Sequence, residues 1–238
     1  MDHAARASRS PLGRTFGAGT QLDLRVGMTD EITVVPANEA SWDDLQAVYG
    51  TRGDAAFCQC QRFKLAPKES FGSFPADERA FRLREQTNSG HREADSTTGL
   101  IAYLDGEPAG WCGVESRANY SGLRRVFRVP WDGRNEDKTD PTVWAVTCFF
   151  VRKGFRHRGI ASALAQAAAD FARERGARAV EGYPMITQPG QEITWGEMLV
   201  GNRSMFAAAG FIEVSHPTPR RVVMRIDFQP APQGAAHG

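Results

Sequence analysis

Near the middle of the chain, the hydrophobic pattern changes from that of a strand to that of a helix. Val143–Val151 is an apolar run, interrupted only by Thr147 and rich in β-branched and aromatic residues, which predicts a buried strand. A basic turn with glycines follows at 152–159, and Ile160 begins an Ala-rich helical pattern that ends before Gly176. A strand, a glycine-containing turn and a helix N-terminus predict a phosphate site, because the first-turn N–H groups are free donors.

Together with the central strand and helix, the remaining predicted segments give the order β-α-α-β-β-β-α-β-α-β-β along the chain. This order predicts one α/β domain, a single mixed central sheet with helices on both faces. The predicted elements outside the central pair are a strand at 32–36, a helix capped by Ser41, an irregular segment at 55–75, a helix at 76–88, strands at 98–104 and 108–115 joined by Asp105-Gly106, a short helix near 121–126 in the loop 116–141, a strand at 178–183, a helix closed by Gly210, and a strand pair at 211–214 and 221–226.

Both ends of the chain lack this periodicity. Residues 1–29 are rich in Ala, Arg, Ser and Gly and are expected to form a disordered tail, and 229–238 are expected to form a flexible one. The domain is therefore predicted to occupy 30–228. Met28 lies just before the first predicted strand, so translation from Met28 is an alternative to translation from Met1.

The charge balance argues against a general affinity for nucleic acid or anionic membranes. Lys and Arg number 29 and Asp and Glu number 28, and 41% of the residues are hydrophobic, as in ordinary globular proteins. No apolar run reaches the roughly 18 residues of a membrane span, and no secretory signal is recognisable. Four cysteines in such a chain predict free thiols in the cytoplasm.

The cysteine spacing predicts no metal site. Cys58 and Cys60 are two residues apart, whereas structural zinc sites need four ligands, commonly in C-x-x-C pairs. Cys112 and Cys148 lie on separate predicted strands without a nearby histidine. Cys148 is interpreted as a small buried apolar residue rather than an acyl-carrying nucleophile.

The turn before the central helix resembles a known family signature. Arg156–Ala161 reads Arg-His-Arg-Gly-Ile-Ala and is similar to the Gln/Arg-x-x-Gly-x-Gly/Ala motif of the GNAT superfamily of acyl-CoA-dependent N-acyltransferases. The strand before it, the helix after it and the downstream Ala-Ala-Ala-Gly210-Phe211 strengthen the resemblance, which covers about 30–228. It implies a GNAT-like fold and acetyl-CoA as the co-substrate.

The resemblance also implies how acetyl-CoA binds. The central strand should separate from the strand at 178–183 and offer backbone groups to the pantetheine arm. A backbone N–H close to Phe150 or Val151 should stabilise the oxyanion. The turn amides should bind the pyrophosphate. The residues expected to bind the co-substrate are Phe149, Phe150, Val151, Arg156, His157, Arg158, Gly159, Ile160 and Ala161.

Two positions depart from the family pattern. Many members carry a tyrosine in the penultimate helix that protonates the leaving thiolate, and Phe206 occupies that position here. Leu199 stands where many members have an asparagine that contacts the cofactor. Asn202 lies three residues later and is interpreted as a helix cap. The usual general acid is therefore missing.

The remaining candidate residues concern proton transfer and acceptor binding. Glu181 and Glu115 are candidate bases, and Tyr183 is a candidate acid; the alternatives are strand-end carboxylates in solvent and simple aromatic packing. The acceptor pocket is expected from the 57–63 segment and the 120–125 segment. Its candidate residues are Phe57, Tyr120 and Arg124, with the alternative that the arginine side chains there are only solvated.

The predicted function is transfer of an acetyl group from acetyl-CoA to a primary amine within a ternary complex. A small-molecule amine is favoured as acceptor, and a protein amine is the alternative partner. The absence of the usual tyrosine motivates a second hypothesis, a non-catalytic acyl-CoA-binding or regulatory module. Nucleic-acid binding is disfavoured by the near-neutral charge, and the family resemblance permits a homodimer without requiring one.

Overall fold

The computed structural model describes residues 30–187, 190 and 194–228. The expected tails at 1–29 and 229–238 and the alternative start at Met28 lie outside the described residues. Within them, the strands are β1 (Ile32–Pro36), β2 (Leu100–Leu104), β3 (Glu107–Ser116), β4 (Val143–Val151), β5 (Ala179–Gly182), β6 (Ile212–Thr218) and β7 (Arg221–Asp227). The helices are α1 (Trp42–Tyr49), α2 (Gly53–Cys58), α3 (Ala76–Thr87), α4 (Ser121–Val126), α5 (Ile160–Glu174), α6 (Trp195–Met198) and α7 (Arg203–Ala208).

The strands form one mixed sheet in the order β1-β2-β3-β4-β5-β7-β6. Every neighbouring pair is antiparallel except β4 and β5, which run parallel. The parallel register begins at Val143 opposite Ala179 and ends at Val146 opposite Gly182. Beyond Val146, β4 continues along β3 to Val151 without β5. The two central strands therefore open into a cleft.

The sheet separates two hydrophobic cores. Leu164 and Ala168 of α5 pack with Val146 and Phe206 on one face. Leu45 of α1 and other buried side chains from the first half of the chain cover the opposite face. The predicted single mixed sheet with helices on both faces is confirmed.

Local sequence signals explain several element ends. Ser41 Oγ accepts a hydrogen bond from Asp44 N at 3.0 Å and caps α1. Asp105 and Gly106 have φ values of 51° and 81°, as the first hairpin requires for a two-residue turn with the twist of its strands. The segment predicted to be irregular contains a short helix, α2, at its start. Gly50 and Gly53, with φ values of 71° and 83°, precede and begin this helix, and glycine is a poor helix former, so the local sequence does not predict it.

Among the described residues, no helix is long and apolar enough to cross a bilayer. No group of three or more His, Cys, Asp or Glu side chains there is arranged to bind a metal ion. The four cysteines are free and buried. Cys148 thus occupies the buried strand position expected for it.

Close packing between Gly182 and Phe206 generates a stability prediction. A Cβ on Gly182 would lie 2.2 Å from Phe206 Cε1, and that ring is itself locked edge-to-face against Phe149 and Phe211. We expect Gly182→Ala to lower the free energy of unfolding by about 1–3 kcal/mol, because the ring cannot move without disturbing the core.

Urea denaturation of the purified variant measures this change. Gly72→Ala is the matched control, since a Cβ there meets nothing within 4 Å, and it should change stability by less than about 0.5 kcal/mol. Equal effects of the two substitutions would contradict the packing argument.

Candidate active site

A groove of about 650 Å³ lies where β4 ends and α5 begins. Of the nine residues expected to bind the co-substrate, the structure brings all but Arg158 to its wall. Four lining residues were not among those expected to bind the co-substrate. Phe155 and Ser162 could have been found from their places in the turn and in the first turn of α5, and Leu199 from the position of the family's asparagine, whereas Met198 needed the fold. The lining residues are Phe149, Phe150, Val151, Phe155, Arg156, His157, Gly159, Ile160, Ala161, Ser162, Met198 and Leu199.

The turn before α5 lines this groove. His157 and Gly159 both have left-handed backbone conformations, with φ values of 63° and 81°. Gly159 is the N-cap of α5, and no side chain caps the helix. A Cβ at Gly159 would only make ordinary contact with Ile32 Cδ1 at 3.7 Å. Glycine is therefore favoured here by its backbone conformation, and the first-turn N–H groups are left for an anion.

The arginines of the turn have different surroundings. Arg156 Nε donates to Val151 O at 3.2 Å, which places its guanidinium beside the groove. Arg158 Nε donates instead to Asp30 Oδ2 at 2.6 Å, and Asp105 lies 3.7 Å from the same guanidinium. Arg156 can therefore add positive charge to the groove, while Arg158 links the turn to the first strand and the first hairpin.

The edge of β4 exposed by the cleft is partly covered by main chain that follows α6. Phe149 N donates to Leu199 O at 2.6 Å. At the position where the family pattern has an asparagine, this chain therefore contacts β4 through a backbone carbonyl. Asn202 Oδ1 accepts from Met205 N at 2.9 Å and caps α7, as interpreted from the sequence. Phe206 is completely buried and has no hydroxyl to offer.

Glu181 lies in a buried cluster of charged groups. Its carboxylate accepts hydrogen bonds from Arg117 at 3.0 Å and from Arg134 and Arg225 at 2.6 Å each. Burial by itself raises the pKa of Glu181, but the hydrogen bond and charge of Arg134, with the other arginines, bring it below the ordinary value. Tyr183 donates its hydroxyl to Glu181 at 3.2 Å, and burial raises the pKa of that phenol well above its ordinary value. Both groups are fully engaged with each other and the arginines.

Glu115 has a different environment, although it is also buried. Thr98 Oγ1 donates to its carboxylate at 2.6 Å, Asn119 Nδ2 donates at 2.9 Å, and Lys64 forms an ion pair with it. The same residues line an open polar pocket of about 490 Å³. Glu115 lies opposite Ala145 of β4, one pair before the last position at which β4 meets β5. Water in this pocket can reach Glu115, whereas Glu181 is sealed by arginines.

The predicted acceptor residues do not share one surface. Phe57 packs its ring 5.4 Å from Phe71, on the side of α3. Tyr120 is completely buried, and Arg124 is partly buried on α4. The two predicted segments meet elsewhere, at Phe63, whose carbonyl accepts from Gly122 N at 2.9 Å.

Comparison with known proteins identifies the family. The family model described as Acetyltransferase (GNAT) family matches residues 61–184, more than half of the chain. The chain therefore belongs to the GNAT family of acyl-CoA-dependent N-acyltransferases, and it is an enzyme of this class. No curated protein matches the sequence significantly.

Several solved structures have a similar fold. The GNAT domain of S. lividans PAT is 19% identical with a TM-score of 0.44, over 84% of this chain and 90% of that one. A structure described as an acetyltransferase is 20% identical with a TM-score of 0.49, over 83% and 100%. YncA from Salmonella typhimurium, described as a putative acetyltransferase with its cofactor acetyl-CoA, is 12% identical with a TM-score of 0.46, over 86% and 98%. These identities are too low to transfer an acceptor.

The Glu181 cluster generates a prediction about stability and pH. Glu181→Gln leaves the buried Arg117 and Arg225 and the partly buried Arg134 without their shared carboxylate, so the free energy of unfolding should fall by about 3–5 kcal/mol at neutral pH. The folded-state pKa of Glu181 lies below the ordinary 4.5. Its contribution is therefore present above that ordinary value and is lost as the pH falls through the lower folded-state pKa.

The difference between wild type and Glu181→Gln should consequently shrink on acidification. Urea denaturation at a series of pH values from neutral to acid measures it. Glu174→Gln, an exposed change at the end of α5, is the control and should follow the wild type. A difference that stayed constant down to strongly acid pH would contradict the ion-pair account.

Proposed function

We propose that this acetyltransferase transfers the acetyl group of acetyl-CoA directly to the primary amine of a small molecule, both being bound at once. The observation that carries the proposal is the groove that joins the α5 N-terminus to the opening between β4 and β5. One end offers amides and a guanidinium to phosphates, and the other reaches unpaired strand edge. The pantetheine arm of acetyl-CoA would lie along this path. The free thiols of the described chain suit a reducing cytoplasm.

The residues of the groove divide into two binding roles. The amides of Arg156–Ala161 would bind the pyrophosphate, with Arg156 supplying formal charge. Phe149–Val151 would lie along the pantetheine arm and contribute backbone groups to it. Arg158, which is paired with Asp30, would position the turn rather than touch the phosphates.

The transfer itself requires few side chains. The neutral amine attacks the thioester carbonyl, the C–N bond forms, the C–S bond breaks, and the amine proton finally reaches the thiolate. Negative charge developing on the carbonyl oxygen would be stabilised by a backbone N–H of β4 near Phe150 or Val151. The amide of Phe149 is engaged with Leu199 and is not available for this.

Glu115 is the stronger candidate for accepting the amine proton. It borders a pocket that water can enter, close to the point where β4 and β5 separate. Glu181 and Tyr183, fixed in the arginine cluster, would stabilise the fold there instead. Since Phe206 has no proton to give, the thiolate would be protonated through water.

Thioester consumption tests the proposal directly. Release of free CoA thiol is measured with a panel of small amines. We expect Glu115→Gln to lower kcat by about 10²-fold or more if Glu115 acts as the base. Glu85→Gln is the matched control, because Glu85 lines the same pocket without contacting Glu115, and it should retain activity.

Two results would contradict parts of the proposal. Full activity of Glu115→Gln would remove its role as the base. If acetyl-CoA bound tightly but was not consumed with any amine, the transferase proposal would be wrong, and the alternative of a non-catalytic acyl-CoA-binding module would be supported.

The backbone conformation of Gly159 gives a separate prediction about co-substrate binding. Gly159→Ala places a Cβ on a left-handed residue, which costs about 1–2 kcal/mol, without any steric clash. We expect the dissociation constant of acetyl-CoA to rise about tenfold because the turn relaxes and its amides turn away.

Calorimetric titration with acetyl-CoA measures this affinity. Gly154→Ala is the control in the same loop, since Gly154 has open space around it and no positive φ. Unchanged affinity in Gly159→Ala would show that the turn amides do not bind the ligand.

A further inference from the structure

Three arginines from two separate segments converge beside the opening between β4 and β5. Arg220 and Arg221 lie at the turn that enters β7, and Arg62 lies after α2. Arg221 Nη1 is 3.5 Å from the carbonyl oxygen of Tyr183, the residue that follows β5. Arg62 Nη1 lies 3.6 Å from the position of a Cβ on Gly196 of α6. The group is therefore next to the cleft and beside α6.

The positive charge of this group exceeds the negative charge placed around it in the described residues. Arg220 Nη1 pairs with Glu197 Oε1 at 3.1 Å, while its Nε and Nη2 are shielded from solvent and donate to no described group. Burial lowers the pKa of Arg221, and the positive charges of Arg220 and Arg62 lower it further. The carboxylate of Glu197 raises it, but by less than the other effects lower it. Three guanidinium groups thus share one described carboxylate.

A second set of arginines in the same protein shows the contrast. Around Glu181, each guanidinium has a carboxylate within ion-pair distance, and the pKa values of two of them are raised rather than lowered. In that set every guanidinium has a carboxylate partner, whereas the three guanidinium groups beside α6 have one carboxylate between them among the described residues. The complete set consists of Arg117, Arg134 and Arg225 with Glu181, Glu136 and Asp227.

The location separates this group from the phosphate end of the groove. The turn at 156–161 forms one end, and Met198 and Leu199 form another part of the wall. Glu197, which pairs with Arg220, directly precedes them in the chain. The arginines therefore lie beside the α6 end of the groove, away from the turn at 156–161. An acceptor whose amine enters the opening between β4 and β5 would place its other groups on this side.

We propose that Arg62, Arg220 and Arg221 bind an anionic acid group, carboxylate or phosphate, carried by the acceptor amine. The inference rests on the proposed acetyltransferase function and specifies its substrate class as amino acids or aminoalkyl phosphates. Guanidinium groups match both anions because their paired N–H donors face two oxygens at once. A partly shielded group of cations favours an acceptor amine that carries such an anion over an acceptor amine without one.

Matched acceptor pairs test the proposal. Amino acids are compared with their carboxamides, and aminoalkyl phosphates with the corresponding amino alcohols, by thiol release from acetyl-CoA. We expect the kcat/KM of the anionic member to exceed that of its neutral partner by about tenfold or more. The acid pair and the phosphate pair identify which anion is preferred.

Variants connect this preference to the arginines. Arg221→Gln should lower kcat/KM about 10–100-fold for the anionic acceptor and little for the neutral one, while Arg221→Lys should retain part of the preference. Arg62 is exposed, so Arg62→Gln should fold even if Arg221→Gln does not, and it should shift selectivity in the same direction. Arg173→Gln, an exposed change on α5, is the control.

The outcomes distinguish this inference from the function on which it rests. Equal or better turnover of neutral amines, or equal losses for both acceptors in Arg221→Gln, would overturn the inference and leave the acetyltransferase proposal standing. No turnover of either class would overturn the transferase proposal. In that case, the anion site is tested by the binding of product analogues in the presence of CoA. The site requires an N-acetyl amino acid to bind more tightly than its N-acetyl carboxamide. It also requires the affinity for the N-acetyl amino acid to fall in Arg62→Gln.

Discussion

The separation of β4 from β5 after Val146 is the constraint on which the rest of the site depends. Four parallel pairs end there, and β4 continues along β3, which keeps it rigid while one of its edges is released. A bulge skips Thr147 in the register with β3 at the same level and bends the strand at this point. The groove, the α5 N-terminus and the arginines beside α6 are all arranged around this released edge.

Because β5 pairs with β4 over only four residues, other contacts must hold β5 in place beside the opening. Glu181, paired opposite Ala145 on β4 and Arg225 on β7, joins three arginines beneath the cleft. Because a buried carboxylate with complete partners is both rigid and poorly basic, the same contacts that stabilise β5 make Glu181 unsuitable for proton transfer. This contrast is why we propose Glu115, which borders an open polar pocket, as the base.

Sequence reasoning identified the fold and the groove because their signals are local. The apolar run of β4, the glycine-containing turn and the Ala-rich start of α5 are contiguous, so one stretch specifies both geometry and phosphate chemistry. The arginines beside α6 left no comparable signal, since Arg62 and Arg221 are far apart in the chain. The separate environments of Glu115 and Glu181 were equally hidden: both are strand-end carboxylates, and only tertiary pairing with Lys64 or with arginines distinguishes them.

The missing tyrosine is part of a packing arrangement rather than an isolated change. Phe206 fills the space that Gly182 leaves open, and its ring contacts Phe149 at the start of the groove wall. A hydroxyl in this apolar core would need a partner that the neighbouring rings cannot provide. Restoring tyrosine at this position would therefore disturb β5 before it supplied a proton. For this reason we propose that the proton moves through water on the polar side of the cleft, and we assign selectivity to the charges around it.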